Sequence, residues 1–337
     1  MKKILLSHVF ENTEFDTAER RAALADLQQL GELSIHPREL TGEHADGVVG
    51  VIASGVPFHE SFYQAAESLR IIARWGVGYE TVNVDLATEY GVIVTIAPEH
   101  MVTVAEYAIA QWFATMKRVY TLNRASHSGN FGLIKTHEVM DSTLGLYGFG
   151  RIGQEVARRA RPLLGEEGRL LVYDVRPDIA EVAAQFGAEA VDTPLKLFEE
   201  SDTVSLHLSG AATVVGYEEF CAMKPHASLI NPSRGNLVDD AAANRAVSEN
   251  RLWYYVVDDP VNGPRAIHKD HPRIICTNHN AGMTVESGIR LDLRTIGQVT
   301  DAIQGRAPAY MLNPEVLEHP RVKAFCKDTS QPLKLCL

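Results

Sequence analysis

At 337 residues the chain is longer than one hydrophobic core usually serves, so about two domains are expected. An apolar content of 45% with 22% charged residues fits a globular protein. The formal net charge of -11 works against phosphate backbones and anionic membranes, so neither nucleic acid nor a membrane is an expected partner.

The opening "MKKILLSHVF" has two lysines and an apolar run, but Ser7 and His8 break it and no small-residue cleavage site follows. It reads as a first β-strand. Up to about residue 98, short β-type runs ("KKILLSHVF", "GVVGVIA", "RIIARWG", "GVIVTIA") alternate with helical patterns near Thr17 to Leu30 and His59 to Ser68. That alternation predicts parallel strands covered by helices. From Thr103 a single long helix is expected over "TVAEYAIAQWFATMKRVYTLNRASH", where apolar residues recur at three- and four-residue spacing.

A second alternating series starts at Thr143, with strands "TLGLYG", "RLLVYD", "TVSLHL", "ASLINP", "WYYVVDD" and "RIICTNH". Runs this apolar belong to parallel strands buried on both faces. A last helix is expected near Thr284 to Gln304, and the tail after Pro320 is left unassigned. No apolar run approaches the roughly 18 residues that span a bilayer. The four cysteines lack CxxC spacing, which fits reduced thiols and a cytoplasmic protein, and no metal site is expected.

"LGLYGFGRIGQEVARRA" places Gly148, Gly150 and Gly153 in GxGxxG spacing between a strand and a helix. The glycines allow a tight turn, close backbone approach to a pyrophosphate and close helix-to-strand packing, and the free helix amides attract the anion. The next strand ends in Asp174, about twenty residues on, where an acid binds the ribose hydroxyls of NAD and repels the extra phosphate of NADP. NAD is the expected cofactor, although Arg176 leaves some room for NADP.

Ligands of open α/β sheets bind outside the carboxyl ends of the strands. Arg234 follows "SLIN", Asp258 and Asp259 follow "YYVV", and His279 follows "IICTN", so all four can share one edge. Oxidation of a hydroxyl by hydride loss needs a base for its proton, which suits His279, and a guanidinium such as Arg234 can hold a carboxylate and polarise the adjacent carbonyl.

These stretches, with "RWGVGYETVNVDLATEYGVIV", "TVAEYAIAQ", "LINPSRGNLVDDAAANRAV" and "TNHNAGMT", resemble the D-isomer-specific 2-hydroxyacid dehydrogenase family from about Val48 to Gly305. The resemblance implies an α/β protein of two doubly wound parallel-sheet domains. A Rossmann NAD domain, residues 101–284, would be inserted into a flavodoxin-like substrate domain, residues 1–100 plus 285–337. The active site would occupy the cleft between the lobes, and the protein would be a homodimer. Function then reads as hydride transfer between a D-2-hydroxy acid, or its 2-keto acid, and the nicotinamide.

Carried over by position, the amides of Val77 and Gly78 bind the substrate carboxylate, Arg234 holds substrate and His279 exchanges the proton. Ser54, Trp75 and Tyr79 are candidates for lining the substrate pocket. Thr103 lies near the cofactor, and the glycine turn contributes Phe149, Arg151 and Ile152. Further cofactor contacts fall on His207 and Leu208, on Asn231, Pro232 and Ser233, and on Asp258 and Gly282. Other readings are an NAD-binding scaffold or redox sensor without turnover, and a family member acting on another small anion such as formate or phosphite.

The sequence departs from the family pattern in three places. Gly263 stands where a glutamate usually orients the catalytic histidine, Trp253, Tyr254 and Tyr255 replace small residues, and Ser209 replaces the proline of "LHLP". The orienting partner of His279 is therefore Asn262, a displaced acid (Asp258 or Asp259) or water, with Asn262 preferred. Without the glutamate anion the imidazole is expected to favour its neutral, proton-accepting form near neutrality.

Overall fold

The structure, a computed structural model, describes residues 2–210, 212–263 and 265–330. It divides into two compact units, Met1–His100 with Met283–Leu337, and Met101–Gly282.

The first unit holds a parallel sheet of β1 (Lys3–Leu6), β2 (Glu32–Ile35), β3 (Val48–Ala53), β4 (Ile71–Arg74) and β5 (Ile93–Thr95), in the order β2-β1-β3-β4-β5. This is the flavodoxin-like order. β3, β4 and β5 are buried throughout, as their unbroken apolar runs require. Edge strand β2 is mostly exposed, which explains why its "ELSI" carries no strand signal. The helix Val285–Ile303 returns the chain to this unit and is started by a capping box, in which Thr284 and Ser287 bond each other's backbone N–H at 3.1 Å.

The second unit holds β6 (Thr143–Tyr147), β7 (Arg169–Tyr173), β8 (Glu189–Ala190), β9 (Thr203–Leu206), β10 (Ser228–Asn231), β11 (Tyr254–Val257) and β12 (Ile274–Cys276). Their order is β12-β11-β10-β9-β6-β7-β8, all parallel. The strand order reverses between β6 and β9, the switch point at which a Rossmann sheet opens a ligand crevice.

The long helix expected after Thr103 is two helices, Met101–Met116 and Val119–His127. Arg118 stands at the break with a left-handed φ of 50°. No Gly or Pro marks this break; tertiary contacts hold it. The Arg118 guanidinium lies 4.4 Å from the Trp253 ring centre, and the hydroxyl of buried Tyr254 contacts that of Thr121. Trp253 and Tyr254, two of the aromatic residues singled out in the sequence, thus contact the start of the second helix.

Past Pro320 the chain forms a short helix, Pro320–Phe325. Cys221, Cys276 and Cys326 are unpaired, and Cys336 lies outside the described residues. Among the described residues no helix is long and apolar enough to cross a membrane.

One buried ion pair ties the first unit to the end of β4. Asp292 accepts from Arg20 Nε at 2.6 Å and from the Trp75 indole N–H at 2.6 Å, and it is fully buried. Trp75 also stacks on Phe15 at 6.3 Å. Removing one partner of a buried pair strands the other charge, so Asp292→Ala should lower unfolding free energy by about 3–5 kcal/mol in urea denaturation. A loss below about 1 kcal/mol, the range of exposed pairs, would mean that the pair is not a fold constraint.

Candidate active site

Gly148 follows β6 with φ 94°, and a Cβ there would sit 2.4 Å from the His207 carbonyl oxygen beyond β9. A Cβ on Gly153 would lie 2.3 Å from the Gly148 carbonyl oxygen, whereas one on Gly150 would meet nothing within 4 Å. The first and third glycines are therefore demanded by packing. The second keeps backbone open to a ligand.

Gly150 is also the N-cap of the helix Arg151–Ala160 and makes no side-chain cap hydrogen bond to the positive helix end. Asp174 closes β7 and its Oδ2 accepts from the Phe149 amide at 2.6 Å, which holds the acid against the glycine turn. Both His207 ring nitrogens are buried without a hydrogen-bond partner, and burial pushes this imidazole down to about 3, so it stays neutral. An open glycine, a helix start without a side-chain cap, a fixed acid and an orphaned imidazole fit a dinucleotide.

Beside the turn, Asn231 shapes the segment that carries Arg234. Its amide donates to the Arg234 carbonyl at 2.8 Å and its Oδ1 accepts from the Ser233 N–H at 3.1 Å. Ser233 Oγ donates to the Leu206 carbonyl at 2.8 Å, tying the segment to β9. Pro232 is buried, and Leu208 lies half-buried against the Gly148 turn. Arg234 itself is half-buried.

His279 follows β12 with a left-handed φ of 58°. Its Nδ1 lies 3.2 Å from the backbone carbonyl oxygen of Asp258. A carbonyl can only accept, so Nδ1 carries the proton, and in the neutral ring Nε2 is left as the acceptor. The Asp258 side chain fixes the same loop from beneath: its oxygens accept from the Thr277 hydroxyl (2.6 Å), the Asn280 amide (2.8 Å) and the Ala281 amide (2.7 Å).

The expected partner of His279 is corrected here. Asn262 is exposed, Asp259 pairs with buried Arg265 at 3.5 Å, and the contact at Nδ1 comes from the Asp258 backbone. Gly263, where the resemblance leads one to expect a glutamate, is exposed with φ 90° and faces open space. Thr277 and Tyr107 belong to the brace but went unnoticed in the sequence. Because the Thr277 hydroxyl donates to Asp258, Tyr107 donates to Thr277, at 2.8 Å. The only signal was a threonine two residues before the histidine.

Arg234 and His279 leave strands two places apart in one sheet, which sets the strand ends roughly 10 Å apart. Thr103 is buried in the helix Met101–Met116, and Gly282 ends the second unit. In the first unit Ser54 follows β3, and Val77, Gly78 and exposed Tyr79 follow β4. Trp75, expected as a pocket residue, is 7% exposed; its indole N–H and ring are engaged by the core.

Comparison with known proteins identifies this arrangement. The family model described as "D-isomer specific 2-hydroxyacid dehydrogenase, NAD binding domain" matches residues 109–281. The chain belongs to the D-isomer specific 2-hydroxyacid dehydrogenase family. It is 32% identical to a glyoxylate reductase from Korarchaeum cryptofilum, over 81% of this chain and 84% of that protein. It is 29% identical to D-3-phosphoglycerate dehydrogenase from Methanocaldococcus jannaschii over 86% of this chain, but spans only 57% of that relative's length.

Two solved structures share the fold. A glyoxylate reductase from Paecilomyes thermophila aligns with TM-score 0.76 at 24% identity, over 93% of this chain and 98% of that one. A D-lactate dehydrogenase with NAD+ from Lactobacillus jensenii aligns with TM-score 0.74 at 23% identity, over 92% and 99%. The glycine turn lies within the residues matched by the NAD binding domain model.

Gly148→Ala and Gly150→Ala should separate folding from binding. The first meets backbone in a left-handed conformation and should lose about 1–3 kcal/mol of stability together with NAD+ affinity. The second should keep the unaltered melting temperature and lose NAD+ affinity by calorimetry. Full NAD+ binding by Gly150→Ala would rule out close approach at this turn.

Proposed function

We propose that the protein is an NAD-dependent dehydrogenase that interconverts a small D-2-hydroxy acid and its 2-keto acid, with glyoxylate the first candidate keto acid. The observation that carries this reading is the His279 geometry, which presents Nε2 as an acceptor without a carboxylate partner. The glyoxylate reductases among the relatives support the substrate class, since this chain spans most of their length.

NAD, when bound, supplies or accepts the hydride. His279 Nε2 takes the proton of the substrate hydroxyl, and the imidazolium returns it to the carbonyl oxygen in reduction. Arg234 holds the carboxylate and polarises the carbonyl, and the amides of Val77 and Gly78 bind the carboxylate. Asp258, expected as a cofactor contact, acts as a positioning residue, since protein donors take both its oxygens. Residues 75–79, "WGVGY", include no cation, which supports an unphosphorylated substrate.

We also propose a homodimer in the cytoplasm. Phe131 and Leu133, 84% and 103% exposed, are apolar groups that a second copy would cover, and the unpaired cysteines fit a reducing compartment.

Absorbance at 340 nm, followed with NADH and a keto-acid panel that includes glyoxylate, and with NAD+ and the matching hydroxy acids, formate and phosphite, tests the reading. His279→Ala should lower kcat about 100-fold or more, and Arg234→Ala should raise the keto-acid KM. No turnover of any hydroxy or keto acid, or a His279→Ala enzyme within about threefold of the unaltered kcat, would overturn it.

A further inference from the structure

Asp174 is not the only charged group where β7 ends. The backbone N–H of Arg176 donates to Asp174 Oδ1 at 3.0 Å, which places the arginine directly over the acid expected to receive the adenosine ribose. Its side chain does not stay there. Arg176 Nε donates to Asp178 Oδ1 at 2.6 Å and Nη2 to Asp178 Oδ2 at 2.9 Å, a two-pronged planar pairing. Both side chains are solvent-accessible, at 36% and 48%, so no packing forces them together.

An arginine close to this strand end is the usual device for accepting the 2′-phosphate that distinguishes NADP from NAD. Here two of its donors already serve a carboxylate. That carboxylate also adds negative charge at the edge a phosphate would approach, and the Arg176 guanidinium holds it below the usual carboxylate range, so it is ionised near neutrality. Asp174 repels the same phosphate, but it would do so whether or not Arg176 were occupied.

We propose that Asp178 is a cofactor-selectivity residue: by engaging the Arg176 guanidinium it withholds a nearby group suited to a 2′-phosphate, and so keeps this domain on NAD. The proposal rests on the NAD-domain assignment. It concerns the chain's own side chains and needs no knowledge of the substrate.

Isothermal titration of the full chain with NAD+, NADP+ and adenosine 2′,5′-bisphosphate tests it without any activity measurement. Exposed ion pairs are weak, so Asp178→Ala should tighten NADP+ and the bisphosphate by about three- to fivefold, with NAD+ within about twofold of the unaltered chain. The double variant Arg176→Ala/Asp178→Ala should lose that gain. NAD+ binding with NADP+ affinity unchanged in Asp178→Ala would overturn the latch alone, as would a gain that survives removal of Arg176. No NAD+ binding by the unaltered chain would overturn the domain assignment and the latch with it.

Discussion

The buried carboxylate of Asp258 is the constraint on which the candidate site depends. Only 3% exposed, it would be costly as a lone charge, and the Thr277 hydroxyl with the amides of Asn280 and Ala281 compensates it. Hydrogen bonds to a charged group contribute about 1.5–3 kcal/mol each, and holding a residue such as His279 in the left-handed region costs about 1–3 kcal/mol. Three such bonds outweigh one strained residue. The loop therefore keeps a conformation in which the carbonyl of the same aspartate meets the imidazole.

This gives one residue two jobs that lie on different links of the chain from sequence to function. Its side chain folds the 277–281 loop, and its backbone sets the histidine tautomer. A glutamate at position 263 would orient the ring and also add an anion beside it; a carbonyl orients the ring and adds none. Gly263, exposed at φ 90°, has no side chain with which to make such a contact. Arg265 meanwhile holds Asp259 against Gly235, where a Cβ would come within 2.3 Å of Asp259 Oδ2. The second aspartate is thus committed to the turn beside Arg234.

Much of the fold was legible because parallel strands buried on both faces write themselves as apolar runs. β3, β4, β6 and β10 are of this kind, and the glycine turn after β6 follows from spacing alone. Edge strands β2 and β8 were missed for the converse reason, being short and largely exposed. The break at Arg118 was invisible because it depends on Trp253 and Tyr254, far away in the chain. Trp75 read as a possible pocket residue, yet its polar N–H finds a buried carboxylate 217 residues on. The orienting group of His279 could not be read either, since every residue has a carbonyl and only the fold says which one meets the ring.

The most direct measurement of this account is the tautomer of His279, from long-range 1H–15N correlation of the imidazole at a pH where the ring is neutral. A proton on Nδ1, with Nε2 bare, is the predicted result. A proton resident on Nε2 would contradict it: the Asp258 carbonyl would then face a nitrogen with nothing to donate, and the proposed acceptor would not exist.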